Sequence, residues 1–239
     1  MSNSQNYKRL DVWLVDNKYF SSRNVASNAI CLGLVSVNGQ VTQKSSTKIT
    51  QFDAVTIDNS EKHYVSRAAN KLKYLITKTK IDIERKTCID LGASTGGFTQ
   101  ILLEFGASKI YAIDVGHEQM ANQLRKDQRV INMDRTDARD IGTDIIQQSS
   151  IITADLSFIS LRKVLGQIVN LSNIGTTFCV LFKPQFEVGR NFIGKGGIVR
   201  NNIARRRAAS VISNFLIEQG WLVKGTFIPS LKGADGNIE

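Results

Sequence analysis

At 239 residues the chain has room for one large domain, or for a small one joined to a medium one, and 42% apolar with 22% charged residues is the composition of a soluble protein with a sizeable core. The start Met1-Ser2-Asn3-Ser4-Gln5-Asn6 is polar, and no stretch approaches the ~18 apolar residues of a membrane span, which argues against a signal peptide or spanning helix and predicts a cytoplasmic protein. The net charge of +10 is segregated: residues 1–60 carry +2, 61–80 carry +5, 81–160 carry −4 and 161–239 carry +7. A polyanion such as RNA is the partner such an asymmetry favours, against the plainer reading of a generally basic solvated surface. Cys31, Cys88 and Cys179 are far apart and each lies in an apolar segment, so core packing is expected; with only His63 and His117 besides, no metal site is expected.

In chain order, residues 1–60 read as a small unit. Ser21-Ser22-Arg23-Asn24 supplies capping residues, and Val25, Ala26, Ala29, Ile30 and Leu32 follow at amphipathic helical spacing. Val35-Ser36-Val37-Asn38-Gly39-Gln40-Val41 predicts a hairpin, because Asn-Gly between alternating apolar residues suits a tight turn with positive φ. A third strand is expected at Ala54–Ile57. The Arg9-Leu10-Asp11 opening, the Ser-Arg pair at a helix start and the Val-x-Val-Asn-Gly hairpin together resemble the small αL-type RNA-binding domain of a small-subunit ribosomal protein and of pseudouridine synthases. That resemblance implies that the helix carrying Arg23 faces RNA phosphates. Arg9, Arg23 and Lys44 are the candidate contacts, though a residue of this kind taken alone is more often just a solvated surface charge.

A linker at 61–64 leads to a second domain, 65–239. Ser66 is placed to cap a basic helix in which Leu72, Leu75 and Ile76 form the apolar stripe and Lys71 and Lys78 lie on another face. Thr87-Cys88-Ile89-Asp90-Leu91 reads as a buried strand, and Gly92-Ala93-Ser94-Thr95-Gly96-Gly97 as the turn into a helix over 97–105. Glycine there lets backbone approach a ligand closely, and the helix start offers free amide groups. The spacing departs from the dinucleotide fingerprint, with Ser94 where a second glycine would stand. The acidic strand and Ser-Thr-Gly-Gly turn look instead like the S-adenosylmethionine site of a class I methyltransferase, with Asp90, Gly92, Ser94, Thr95, Gly96, Gly97 and Phe98 as its residues.

Beyond the turn, strands are expected at Ile110–Val115, Val130–Met133, Ile151–Asp155, Thr176–Lys183 and Trp221–Ile228, with helices at roughly 118–126, 160–171 and 201–219. Alternation of this kind predicts an α/β fold with a mostly parallel sheet, which brings the charged strand ends Asp90, Asp114, Asp155 and Lys183 to one edge. Asp114 suits the two ribose hydroxyls of a nucleoside, and Asp137 an adenine amino group, unless it serves only its own turn. Residues 184–200 read as a mobile basic loop, either a lid or an ordinary surface loop, in which Arg190, Lys195 and Arg200 are candidate RNA contacts; the triplet Arg205-Arg206-Arg207 is phosphate-binding or merely solvated.

Ser66-Arg67-x-x-x-Lys71-Leu72, Asp90-x-Gly92-x-Ser94-Thr95-Gly96-Gly97-Phe98, Asp155-Leu156-Ser157-Phe158-Ile159-Ser160, Lys183-Pro184-Gln185-Phe186-Glu187, Gly194-Lys195-Gly196-Gly197 and Gly236-Asn237-Ile238-Glu239 occur in register. Together they resemble the TlyA family, ribosomal RNA 2′-O-methyltransferases historically labelled haemolysins, in which an RNA-binding domain precedes an FtsJ-like catalytic domain. The resemblance implies a small α+β RNA-binding domain before a class I, Rossmann-like methyltransferase domain, S-adenosylmethionine as cofactor, a cytidine of ribosomal RNA or ribosomal subunits as partner, no membrane and no obligate protein partner. It also implies a tetrad of Lys71, Asp155, Lys183 and Glu239, and adds Arg67 to the RNA contacts. In such a tetrad Lys183 acts as base, Asp155 orients it, and Lys71 and Glu239 hold the target ribose. In the family the Gly-Asn-x-Glu segment runs on into a last apolar strand; here that edge strand is missing, and the expectation is either a truncated chain or a poorly held Glu239. A non-catalytic RNA-binding protein on the same fold is the alternative, and a membrane-active haemolysin a third.

Overall fold

The computed structural model describes residues 7–20, 22–31, 33–58, 64–233 and 235–239, and divides into two compact units at Arg67/Ala68. The polar start, most of the expected linker with His63, and Ser21, Leu32 and Ala234 lie outside the described residues.

The first unit contains β1 (Lys8–Arg9), α1 (Leu10–Asp16), α2 (Arg23–Cys31), β2 (Val35–Val37), β3 (Gln40–Val41), β4 (Lys48–Ile49) and β5 (Val55–Ile57). The expected hairpin forms: Asn38 at φ 52° and Gly39 at φ 78° make the tight turn, and Ser36 pairs with Val41 and Val37 with Gln40. Strand β2 pairs on its other side with β5, also antiparallel. Leu10, Leu14, Ala26, Ala29, Ile30, Val35 and Ile49 close the core, with both helices contributing at helical spacing. Helix α1 and the β1–β4 pair were not expected. Two-residue strands joined across some forty positions carry no local pattern, and a seven-residue helix is held by packing rather than by its own propensity.

The second unit runs α3 (Ala68–Thr79), β6 (Thr87–Leu91), α4 (Gly97–Glu104), β7 (Lys109–Ile113), α5 (Asn122–Arg125), β8 (Val130–Met133), α6 (Thr143–Gln148), β9 (Ile151–Ala154), α7 (Leu161–Leu171), β10 (Thr177–Val180), α8 (Pro184–Glu187) and α9 (Asn202–Glu218). The five strands lie parallel in the order β10-β9-β6-β7-β8. Strands such as Thr87–Leu91 and Ile151–Ala154 are nearly continuous apolar runs because both faces of the sheet are covered. Helix α7 buries Leu161, Val164, Leu165, Ile168 and Val169, an i, i+3, i+4, i+7, i+8 stripe, against Ile89, Leu91, Ile113 and Ile152. The chain leaves β6 outward through β7 and β8 and returns on the other side at β9, so the carboxyl ends of β6 and β9 flank the switch point where ligands lie in such sheets.

Two expected elements differ. The helix expected at 118–126 shrinks to Asn122–Arg125 because Glu118 takes φ 51°, which a helix cannot continue through; the freed segment docks on the glycine turn, Ala121 N donating to Thr95 O at 3.1 Å. Trp221–Ile228 forms no strand. Gly225 interrupts it, and its anchor is a side chain: Trp221 meets Phe178 edge-on at 4.7 Å and donates from Nε1 to Val169 O at 3.2 Å.

Candidate active site

The turn after β6 is shaped by backbone demands that only small or strained residues meet. Gly92 sits at φ 78°, and a Cβ there would stand 2.6 Å from Asp155 O, so glycine is what allows the β6 turn to touch the end of β9. Gly96, at φ 96°, caps α4 and leaves no room for a methyl beside Leu124. Ser94 adopts φ 46°, and its hydroxyl donates to Gln119 Oε1 at 3.0 Å. Phe98 turns its ring into the core at 4% exposure; of this expected cofactor residue only the backbone amide is left for a ligand.

Asp90 requires correction. It has no exposed surface; its carboxylate accepts from Thr99 Oγ1 at 2.7 Å and Thr153 Oγ1 at 2.9 Å, so it braces the turn from beneath rather than facing a ligand. Burial pushes its pKa up to about 6, against the pull of the two hydroxyls. Asp114, half-buried at the end of β7, accepts from Ser94 N at 2.8 Å and Gly116 N at 2.6 Å. Each oxygen keeps a further lone pair, so two ribose hydroxyls can still donate to it, and the exposed Val115 beside it offers an apolar face. Asp137 serves its own turn: Arg139 donates to it from N and Nε at 2.9 Å and from Nη2 at 2.6 Å. The Arg139 hydrogen bonds lower its pKa to about 2, and an adenine amino group would have to displace that partner.

The four residues of the expected tetrad form two ion pairs. Lys183 Nζ lies 2.6 Å from Asp155 Oδ1 and donates to Ser157 Oγ at 2.8 Å; its aligned hydrogen bond goes to the serine, and the aspartate is held by charge. Lys71, on the buried side of α3, pairs with Glu239, whose other oxygen accepts from Gln185 Nε2 at 3.2 Å. Lys183 and Gln185 flank Pro184, the first residue of α8, so one short helix joins the two pairs. The Glu239 side chain is 4% exposed and gripped by two partners, contrary to the expectation that it would be poorly held. Ser157 and Gln185 join the four, and their place two residues beyond the charged strand ends Asp155 and Lys183 is the signal the sequence holds for them. Phe158, 92% exposed at φ 66°, packs against Phe186 at 5.2 Å and presents an aromatic face beside Ser157.

The segment 184–200, expected as a mobile basic loop, contains α8 and two single 3-10 turns, Arg190–Phe192 and Lys195–Gly197. Asn237, 1% exposed, fastens it by accepting from Val199 N at 2.9 Å and donating to Gly197 O at 3.0 Å. Arg190, Lys195 and Arg200 remain exposed. In the first unit Lys44 is exposed and Arg67 half-buried, whereas Arg9 and Arg23 both turn onto the buried Asp11, Arg9 Nε at 3.0 Å and Arg23 Nη2 at 2.9 Å. The Arg9 hydrogen bond, with help from Arg23, lowers the Asp11 pKa to about 2 against its burial. These two expected phosphate contacts therefore have a structural partner of their own. Cys88 and Cys179 are buried thiols with pKa pushed up to about 12 by burial, as core packing requires, and no cluster among the described residues could hold a metal ion.

Residues 64–239 match the FtsJ-like methyltransferase family, and residues 8–55 match the S4 domain. The chain is 38% identical to the 16S/23S rRNA (cytidine-2′-O)-methyltransferase TlyA of Mycobacterium tuberculosis, over 97% of this chain and 87% of that protein. It is 39% identical to Hemolysin A of Brachyspira hyodysenteriae, over 97% of each. A solved structure described as a candidate hemolysin from Streptococcus thermophilus superposes with a TM-score of 0.74 at 33% identity, covering 98% of this chain and 86% of that one.

Proposed function

The chain belongs to the FtsJ-like methyltransferases, in the TlyA group that joins an S4 domain to the catalytic one, and we propose that it transfers a methyl group from S-adenosylmethionine to the 2′-hydroxyl of a cytidine in ribosomal RNA. The observation that carries this reading is the convergence of Lys71, Asp155, Lys183 and Glu239 as two adjoining ion pairs at the carboxyl edge of the sheet. The glycine turn and the residues around it suit the cofactor. Gly92, Ser94, Thr95, Gly96 and Gly97 would hold it with their backbone, Asp114 would accept from its ribose and Val115 would lie against its base. When bound, S-adenosylmethionine supplies an electrophilic methyl on a sulfonium.

The residues of this chain supply the remainder. A ribose 2′-hydroxyl is a poor nucleophile, so proton removal and alignment are the work to be done. Lys183 Nζ, fixed by Asp155 and Ser157, stands as the proton acceptor once it has given up one of its own ammonium protons to solvent. The Lys71 ammonium, held by Glu239, stabilises charge developing on oxygen and positions the ribose. Phe158 offers a stacking face to a base, and Lys44, Arg190, Lys195 and Arg200 offer charge to phosphates. Such a substrate places the reaction in the cytoplasm, with the ribosome. Incubation with radiolabelled S-adenosylmethionine and ribosomal subunits tests the reading: label entering RNA supports it, whereas lysis of liposomes without RNA labelling would favour the haemolysin reading of its relatives' names.

A further inference from the structure

We propose that Gln185 is a positioning residue for methyl transfer, fixing the Glu239 carboxylate with its amide N–H and presenting its buried Oε1 to a hydrogen-bond donor on the bound ribonucleotide. This rests on the function proposed above and adds a residue to the four of the tetrad. Gln185 Nε2 donates to Glu239 Oε1 at 3.2 Å while Lys71 takes Glu239 Oε2, so the two oxygens of one carboxylate are assigned to different partners and the group has a single orientation. The Gln185 side chain is itself rigidly based. Pro184 begins α8 immediately before it, and Glu187 closes the same helix by accepting from Ser160 Oγ and Leu161 N, each at 2.8 Å. Gly233 packs so closely on Glu239 that a methyl group there would collide with the carboxylate.

The second observation is Gln185 Oε1, a buried amide oxygen with no hydrogen-bond partner. Buried acceptors are nearly always satisfied, so one that is not calls for an explanation; the Lys183 charge supplies it for Asp155 Oδ1, and a donor arriving with the substrate would supply it for Gln185 Oε1. The reversed amide orientation would set this oxygen against the Glu239 carboxylate, so the N–H must face the acid and the oxygen must face away from it. A ribonucleotide brings O–H and N–H donors, and this acceptor lies in the same side chain that orients Glu239.

Two variants separate the two jobs in assays of methyl transfer to ribosomal subunits. Gln185→Leu removes both hydrogen bonds and is expected to lower kcat about tenfold and to raise KM for RNA severalfold, with affinity for S-adenosylmethionine unchanged and Tm lowered by no more than a few degrees. Gln185→Glu keeps an acceptor but sets a second carboxylate beside Glu239; paired carboxylates share a proton as pH falls, so the ratio of its rate to wild type rises between about pH 8 and about pH 6, with KM for RNA near wild type. Wild-type kcat and KM in Gln185→Leu, a loss explained by lowered Tm or lost cofactor affinity, or a Gln185→Glu ratio flat with pH would each overturn the inference while leaving the proposed function standing. Wild-type protein that labels no RNA would instead remove the function, and this inference with it.

Discussion

Asp90 is a charge placed where water cannot reach it, and that fixes its contribution to stability. Its native pKa of about 6, raised chiefly by burial, stands above the ~3.9 of an unfolded aspartate. Between those values the folded state binds the extra proton, so stability is greatest at low pH, falls as pH rises through the window and is level above it. Asp90→Asn has no such titration. Its denaturation free energy relative to wild type should therefore climb by on the order of 2 kcal/mol between about pH 4 and about pH 6.5, and a flat difference would contradict the burial account. At this scale the sequence was partly legible. Charge at a strand end pointed to the site edge for Asp114, Asp155 and Lys183, but nothing in the one-dimensional pattern told Asp90, whose partners Thr99 and Thr153 come from α4 and β9, apart from a ligand-facing acid. Arg9 and Arg23 are alike in this, since no local pattern gives them the buried Asp11, 3% exposed, as their partner.

The glycine turn shows how an element depends on what packs against it. Gly39 and Gly92 share a φ of 78°, yet a Cβ at Gly39 meets nothing within 4 Å whereas one at Gly92 meets the Asp155 backbone. Gly39→Ala should cost only the ~1 kcal/mol of a left-handed alanine, and Gly92→Ala should cost several times that and lose cofactor affinity, because backbone on both sides must shift. Equal losses in urea denaturation of the two variants would show that the close approach is unimportant. Elements with an uninterrupted period were readable from sequence: Thr87–Leu91 and Val130–Met133 form at the expected residues, and Leu161–Leu171 and Asn202–Glu218 nearly so. The ones that were not readable, Leu10–Asp16 and Thr143–Gln148, are too short to carry a period and form because Leu14 and Ile146 are buried by neighbours distant in sequence.

For the whole molecule, the charge asymmetry predicts binding driven by counterion release. Affinity for ribosomal RNA should fall linearly with log salt, and Lys44→Ala should reduce that slope by roughly 0.7–0.9, the share of one phosphate contact; an unchanged slope would remove Lys44 from the interface. Arg9→Ala should instead destabilise the first unit, because it strips a partner from the buried carboxylate of Asp11. The parallel sheet was legible from the alternation of strands and helices, whereas the firm hold on Glu239 was not, since it depends on Lys71 and Gln185 arriving from α3 and α8. Methyl transfer to a ribose leaves a chemical signature that methylation of a base does not. Ribosomal subunits labelled by the protein with radioactive S-adenosylmethionine are hydrolysed in alkali, to which a 2′-O-methylated linkage is resistant. The label should stay in an alkali-resistant dinucleotide beginning with cytidine and vanish with Lys183→Ala; label released in mononucleotides, or undiminished in that variant, would rule out ribose methylation by these residues.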